Sequence, residues 1–384
     1  MGRAFRRLET KLIHAGEPDP RILGAVAMPI FQSAMYETEG GDYHDLQYIR
    51  LNNTPNSVVL HAKLAALEGA EAALVTASGM AAITTTLLTF LSAGDHLLAQ
   101  DTLYGGTHDF LTRDFASFGI SFDFVDPNDP KSWESKLRPE TKAIYVETIT
   151  NPLMQVADLE GIAQFARSNE ILSIIDNTFA TPVNFRPIEH GFDLSLHSCT
   201  KYMNGHSDIV AGAIIGGRDL VGRIKHKLDH LGGSLDPHAA FLLHRGMKTL
   251  AVRVRHQNES ALEIARFLEG RPEIARVNYP GLESHSAHAR AKKLFEGFGG
   301  MLSYELQGGA DAAKKFLTAT TLPLKAPSLG SVETLLTLPA LTSHAGMSRE
   351  DRQRLGISDG LVRMSVGLEA TEELIEDLGQ ALTT

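Results

Sequence analysis

Short apolar runs separated by stretches of helical period constrain this chain more than any other feature. They lie at 73–76, 96–99, 121–125, 143–146, 171–175, 194–197 and 210–215, with helical segments at 59–69, from Gly79 onward, at 109–118 and at 159–168. Strands this short and apolar are buried on both faces. The pattern therefore predicts an α/β fold around a largely parallel sheet covered by helices. The segment 59–69 reads as an amphipathic helix that stops at Gly69. Further on, one long helix over 239–268 leads into an α+β region with strands at 275–279, 300–306 and 361–366. Before Val58, Gly and Pro punctuate a stretch with little period, which reads as an arm wrapping a neighbour. The expected organisation is an arm over 1–56, a large domain over 57–250 and a small C-terminal domain over 251–384.

The 384 residues carry a formal charge of −10, which disfavours nucleic acid and anionic membranes as partners. Region 72–93 is the longest apolar stretch, but Thr, Ser and Gly interrupt it, so it reads as strand, turn and buried helix and not as a membrane span. Residues 1–7 are basic without a following apolar run, and no signal peptide is expected. Cys199 is the single cysteine, so no intramolecular disulfide forms and a reducing, cytoplasmic setting is expected. We read it as a small buried strand residue. The pairs His226 with His230 and His285 with His288 have helical metal spacing but lack cysteine or acidic partners. They read as solvated surface histidines, with no metal expected. No Gly-x-Ser-x-Gly elbow occurs, which disfavours a serine hydrolase.

Ligands of open α/β sheets collect at the carboxyl ends of the strands, and the residues there form a series. After the first run, Ser78-Gly79-Met80 opens a helix whose free N–H groups and positive dipole end suit a phosphate. Tyr104 follows the second run, and Gly105 and Gly106 let a turn present its ring to a cleft. The run at 143–146 leads through Glu147 to Asn151. The run at 171–175 ends in Asp176, a carboxylate that is costly to bury unless it caps a helix or meets a cation. A pyridinium nitrogen is such a cation. Lys201 stands 25 positions later, flanked by Ser198 and Thr200 and followed by a flexible Gly205. With a depressed pKa such a lysine bonds an aldehyde, while the two hydroxyls hold a phosphate. Together these residues meet the requirements of pyridoxal 5′-phosphate (PLP). No element is specific alone; their order on successive strand ends is.

On these residues the chain resembles the trans-sulfuration enzymes among the fold-type I, aspartate aminotransferase-like PLP proteins. That group holds cystathionine γ-synthase, cystathionine γ- and β-lyase, methionine γ-lyase and homoserine-ester sulfhydrylases. The likeness runs from Thr10-Lys-Leu-Ile-His-Ala-Gly16 to Arg363-Met-Ser-Val-Gly-Leu-Glu369, and the Ser-x-Thr-Lys-Tyr-x-x-Gly-His-Ser segment from Ser198 to Ser207 is specific for the group. The resemblance implies that Lys201 bonds the cofactor and shuttles protons between Cα, the cofactor and Cβ. It implies that Asp176 keeps the ring nitrogen protonated, and that Tyr104 stacks on the ring and assists proton transfer. Ser78, Gly79, Met80, Ser198 and Thr200 are implied as phosphate contacts. Tyr48 and Arg50 are implied to reach the phosphate of a neighbouring subunit, giving shared sites in a dimer that doubles into a homotetramer. Arg363 is implied to clamp the α-carboxylate of an amino-acid substrate, assisted by Ser328 and Asn151.

The chain also departs from the family pattern. Leu51-Asn-Asn-Thr-Pro-Asn56 replaces the usual Ser-Gly-Asn-Pro-Thr after the Tyr-x-Arg element. Gln47 and Pro327 stand where several cystathionine-handling members carry Glu, and Gly106 stands where methionine γ-lyases carry cysteine. Segments 232–240 and 326–330 look closest to the γ-synthase branch. The expected function is γ-elimination or γ-replacement on a sulfur-containing or O-acylated homoserine-type amino acid. Cystathionine β-lyase, sulfhydrylase and methionine γ-lyase activities are the alternatives, and an aminotransferase or a non-catalytic paralogue of the same fold are the rivals.

Overall fold

One edge of the larger sheet collects the carboxyl ends of all its parallel strands. The sheet contains β1 (Ala72–Thr76), β2 (His96–Gln100), β3 (Ser121–Val125), β4 (Thr141–Glu147), β5 (Leu172–Asp176), β6 (Leu194–Ser198) and β7 (Gly212–Gly216), in the order β1-β7-β6-β5-β4-β2-β3. Strand β7 runs antiparallel to both its neighbours, while the remaining pairings are parallel. A parallel neighbour needs a long crossover, usually a helix. The connection 199–211 holds turns and no helix, so β7 enters beside β6 reversed. The computed structural model describes residues 5–38, 40–41 and 46–383. The other positions of the arm, and Thr384, lie outside the described residues.

Both faces of this sheet are buried. Val75, Leu98, Ile144, Val146 and Ile175 pack to one side, and Leu74, Leu97, Tyr145, Ile174 and Leu196 to the other. A second sheet joins β8 (Ile274–Asn278), β9 (Met301–Leu306), β10 (Leu324–Lys325), β11 (Leu335–Thr337) and β12 (Leu361–Ser365) in the order β10-β11-β12-β9-β8. Val362 and Met364 of β12 lie in a core with Ala261, Ile264, Phe316 and Leu378. Alternation along β12 puts Arg363 on the opposite face.

Several elements differ from their expected form. The helix expected over 109–118 begins earlier as Gly105–Asp109, widens to a π-turn over Phe110–Asp114 and tightens to a 3₁₀ turn over Phe115–Phe118. These changes of pitch bring Phe110 edge-on to Phe115, with centroids 5.1 Å apart. The helix expected over 239–268 is two helices, Pro237–Met247 and Leu250–Glu269. Arg253 explains the break: its guanidinium donates to the Gly246 carbonyl (2.9 Å) and to the Tyr202 carbonyl (2.9 Å). It therefore caps the first helix while bracing the turn beside Lys201. Cys199 is buried as expected but lies in the turn after β6 and not in the strand. Of the histidines read as solvated, His285 is buried instead, at 7% exposure.

The arm is not wholly extended. Leu8–His14 forms a helix whose Leu12 is buried, and the helix expected from Val59 begins at Pro55 and runs to Glu68. That second helix is buried on most sides, Lys63 and Glu68 included, so it is not amphipathic in the ordinary sense. Glu17 of the arm meets Arg21 (2.5 Å), His244 (2.9 Å), Lys248 (3.2 Å) and Lys63 (3.7 Å). Burial alone would raise the Glu17 carboxyl, but His244, Lys248 and Lys63 outweigh it and hold it well below the usual carboxylate range.

A carboxyl held down in the folded state stabilises the fold above its unfolded pKa, and that contribution fades as pH falls below it. Glu17→Gln is therefore expected to cost about 2 kcal/mol at pH 7. This is less than the ~3–5 kcal/mol typical of a fully buried pair, because Arg21 is 31% and Lys248 27% exposed. Denaturant unfolding of both proteins checks this: the gap is full at pH 7 and narrows as pH drops below 4.5, the ordinary glutamate value.

Candidate active site

The strand ends converge on a cavity of about 550 Å³. Ser78, Gly79, Met80, Tyr104, Asn151, Asp176, Ser198, Thr200, Lys201, Ser328 and Arg363 all line it, so most of the residues singled out by sequence stand together. Tyr48 and Arg50 do not. Both are exposed, and Arg50 donates to the Asp229 carbonyl at 2.6 Å, outside the cavity formed by its own chain.

At the first strand end, Ser78 caps the helix Gly79–Phe90 by accepting from the Ala81 N–H at 3.0 Å. The N–H groups of this first turn are otherwise free for an anion. Space there depends on missing side chains. A Cβ at Gly79 would lie 2.8 Å from Ser198 Cβ, and one at Gly212 would lie 2.2 Å from the Ser78 carbonyl oxygen. Thr200 Oγ1 accepts from the Ala211 N–H at 3.1 Å, and Ser198 donates its own N–H to Thr178 Oγ1 at 2.8 Å. This cradle suits a phosphate.

Lys201 occupies the turn after β6 and donates from Nζ to Ser328 Oγ at 2.7 Å. Burial, and then the nearby Arg363 charge, lower its pKa to about 8. Ser328 also offers its carbonyl to Arg363 Nη2 at 2.9 Å, while Arg363 Nη1 donates to Asn151 Oδ1 at 3.1 Å. Ser328 adopts a left-handed φ of 91°, rare for a residue with a Cβ. Such strain costs ~1–3 kcal/mol and is held by its surroundings. Here it lets one residue bond Lys201 with its side chain and Arg363 with its backbone.

Two carboxyls also line the cavity. Asp176 accepts from the Thr178 N–H at 2.9 Å, and Glu147, directly in register on the adjacent strand, accepts from the Tyr104 N–H at 2.6 Å. Burial raises both pKa values, and the Asp176 charge raises Glu147 further. Glu147 and Thr178 were not singled out by sequence, although each sits beside a residue that was. Their importance depends on strand register, which sequence does not show. Thr342 and Ser343, also in the wall, lie in a loop without period and gave no signal.

A site of this make serves a phosphorylated aldehyde held on a lysine, the class that contains the PLP enzymes. The chain matches the Cys/Met metabolism PLP-dependent enzyme family over residues 9–383, and it belongs to that family. It is 42% identical over 387 residues to the L-methionine gamma-lyase of Fusobacterium nucleatum subsp. polymorphum, covering 98% of each chain. It is 41% identical over 377 residues to the cystathionine beta-lyase of Lactococcus lactis subsp. cremoris strain MG1363, again covering 98% of each. The crystal structure of cystathionine gamma-lyase from Lactobacillus plantarum, complexed with L-serine, superposes with a TM-score of 0.94 at 36% identity, over 98% of this chain and 99% of that one. The fold is accordingly fold-type I, and the protein is a PLP-dependent enzyme among relatives that are carbon–sulfur lyases.

The Lys201 environment sets a measurable pH dependence, because only the neutral amine attacks an aldehyde. The rate of PLP attachment to apoprotein is expected to rise with a midpoint near pH 8, where an ordinary lysine would titrate near 10.5. Stopped-flow absorbance between pH 6 and 10 checks this, and Arg363→Met is expected to move the midpoint upward.

Proposed function

We propose that the chain catalyses γ-elimination or γ-replacement on an amino acid with an uncharged thioether or ester at Cγ. The observation that supports this best is the Lys201–Ser328–Arg363 chain of hydrogen bonds, which ties the base to the group that binds the substrate carboxylate. Bound PLP supplies the electron sink that makes the substrate Cα–H acidic.

In this reading Arg363 grips the α-carboxylate, pre-oriented by Asn151 Oδ1 and the Ser328 carbonyl. Neutral Lys201 takes the Cα proton and would hand it on to the bound cofactor; neutral again, its long side chain, tethered through a single hydroxyl, swings to take a second proton from Cβ. Loss of that second proton is what separates γ-chemistry from β-chemistry. Tyr104, 46% exposed at the cavity mouth, carries a proton to the departing sulfur. Asp176 would hold the ring nitrogen, while Ser78, Gly79, Met80, Ser198 and Thr200 would hold the phosphate. The balanced elimination consumes one thioether amino acid and one water, and releases a thiol, ammonium and a 2-oxo acid. In replacement, an incoming thiol adds at Cγ and Lys201 returns the protons.

The walls favour an uncharged substituent. Ile83, Ile149, Phe179, Val210, Pro327 and Leu329 line the cavity, and its carboxyls among the described residues are Glu147 and Asp176 at the strand ends. In this reading both carboxyls serve the strand ends, through the Thr178 and Tyr104 N–H groups and the cofactor, so this protomer's lining offers no further acid for a distal ammonium group such as that of cystathionine. Gly106, where the resemblance puts the cysteine of methionine γ-lyases, weighs against a specialised methionine lyase: a Cβ there would lie 2.6 Å from the Tyr104 ring, so the ring occupies the space a cysteine would need.

A homotetramer built from dimers with shared sites belongs to the same proposal. Leu23 is fully exposed, Val26 is 83% and Met35 73% exposed, and Tyr48 and Arg50 stand outside their own cavity. A second subunit would cover the first group and receive the second. The single cysteine, buried Cys199, suits a cytoplasmic setting. No helix among the described residues is long and apolar enough to cross a membrane.

Turnover of methionine, O-acylhomoserine with cysteine, and cystathionine by holoenzyme tests the assignment. The expected outcome is higher kcat/KM for the uncharged side chains, with 2-oxobutanoate and ammonium released in equal amounts on elimination. Pyruvate from cystathionine would show β-cleavage instead, and amino-group exchange without ammonium would show an aminotransferase. Lys201→Ala is expected to abolish turnover. Arg363→Lys should lower kcat/KM by ~10–100-fold, mainly through KM, because a bidentate charged contact is lost.

A further inference from the structure

A third polar side chain shares the wall that holds Glu147 and Asp176. Tyr145 precedes Glu147 by two residues on β4, so both project to the same face of the sheet. Register places Tyr145 opposite Ile174, one pleat behind the Glu147–Asp176 pair. Tyr145 is completely buried, in a layer with Leu97, Ala99, Leu111 and Ile174. Its hydroxyl makes no hydrogen bond of ordinary geometry, and neither does the hydroxyl of fully buried Thr107. The groups whose charge or hydroxyl acts on the phenol are Asp176 and Glu147, which register puts one pleat ahead on the same face, and Thr107.

A buried hydroxyl without a partner costs ~1–3 kcal/mol, and phenylalanine would fill the same apolar layer without that cost. The hydroxyl therefore needs an acceptor, and Asp176 is the nearby one whose charge the proposed function requires. Burial, and then the charges of Asp176 and Glu147, raise the Tyr145 pKa well above that of an ordinary phenol. Tyr145 thus keeps its proton and acts as a donor. Glu147 is already engaged by the Tyr104 N–H, and the Thr178 N–H holds the other side of Asp176.

We propose that Tyr145 is a positioning residue whose hydroxyl, backed by Thr107, donates to the Asp176 carboxylate from behind and keeps it charged for the cofactor ring nitrogen. This rests on the assignment of Asp176 to that nitrogen. The arrangement gives Asp176 one donor from the loop and one from the sheet, leaving its remaining lone pairs for the cofactor. Tyr145 touches neither substrate nor reacting atom and acts only through Asp176.

Tyr145→Phe, Asp176→Asn, the double variant and Thr107→Val, each prepared as apoprotein and reloaded with PLP, test this. The readouts are the PLP dissociation constant and the pH titration of the bound-cofactor absorbance, with the apoprotein thermal midpoint as a folding control. Tyr145→Phe is expected to weaken PLP binding ~10-fold and to shift the absorbance transition, without lowering the apoprotein midpoint. Thr107→Val should do the same to a smaller extent, ~3-fold. Asp176→Asn should weaken binding more, and adding Tyr145→Phe to it should cause no further loss, since the hydroxyl then has no charged acceptor. Wild-type affinity and spectrum in Tyr145→Phe, with Asp176→Asn impaired, would overturn the proposal alone. A Tyr145→Phe loss of equal size in the Asp176→Asn background would also overturn it, by showing that the residue acts through packing. Full affinity in Asp176→Asn would instead remove the assignment on which both rest.

Discussion

Two cations and two carboxyls share one buried cavity, and the rest of the structure is arranged around the cost of keeping them there. Burial disfavours charge on each, pushing Lys201 and Arg363 down and Glu147 and Asp176 up. The groups are not left to neutralise one another. Lys201 lies beside Arg363, so repulsion adds to burial and the amine is driven toward the neutral form that the proposed chemistry needs. Glu147 and Asp176 likewise repel, so the pair binds a proton more tightly than either carboxyl would alone. Like charges are placed together where a neutral base or a shared proton is useful, and backbone donors such as the Thr178 and Tyr104 N–H groups supply the stabilisation.

The parallel sheet makes this grouping possible. Five strands contribute groups to the cavity from the same edge: Ser78 follows β1, Tyr104 follows β2, Glu147 ends β4, Asp176 ends β5 and Ser198 ends β6. That edge was legible in the sequence because each apolar run stops abruptly at a polar or small residue, and a buried strand has no other reason to stop there. The resemblance of the Ser198 to Ser207 segment then supplied chemistry that strand ends alone do not carry. What was not legible depends on contacts distant in sequence. The pairing of Glu147 with Asp176 depends on register. The break after Met247 depends on Arg253 reaching Gly246 and Tyr202, and a period that runs unbroken through 239–268 gives no sign of it. The reversed β7 depends on a connection too irregular for a crossover, and the residues of that connection are the ones chosen for Lys201 and its neighbours.

The helix Pro55–Glu68 shows how far from the cavity the same constraint reaches. An amphipathic helix would put Lys63 and Glu68 in water, yet both are buried, each with a specific partner. Lys63 Nζ donates to the Leu12 carbonyl at 2.8 Å and stands near Glu17, which ties the helix to the arm. Glu68 Oε1 lies 2.5 Å from His197 Nε2 and within 3.5 Å of Asn177 Nδ2. His197 immediately precedes Ser198, and Asn177 immediately follows Asp176, so the Glu68 end of the helix is bonded to residues at two strand ends. A partnered charge is a directional contact in a core where apolar packing alone tolerates sliding. One helix is therefore bonded to the arm at one end and, at the other, to the residues next to Ser198 and Asp176. Those directional contacts account for two charged residues on a helix whose surroundings are otherwise apolar.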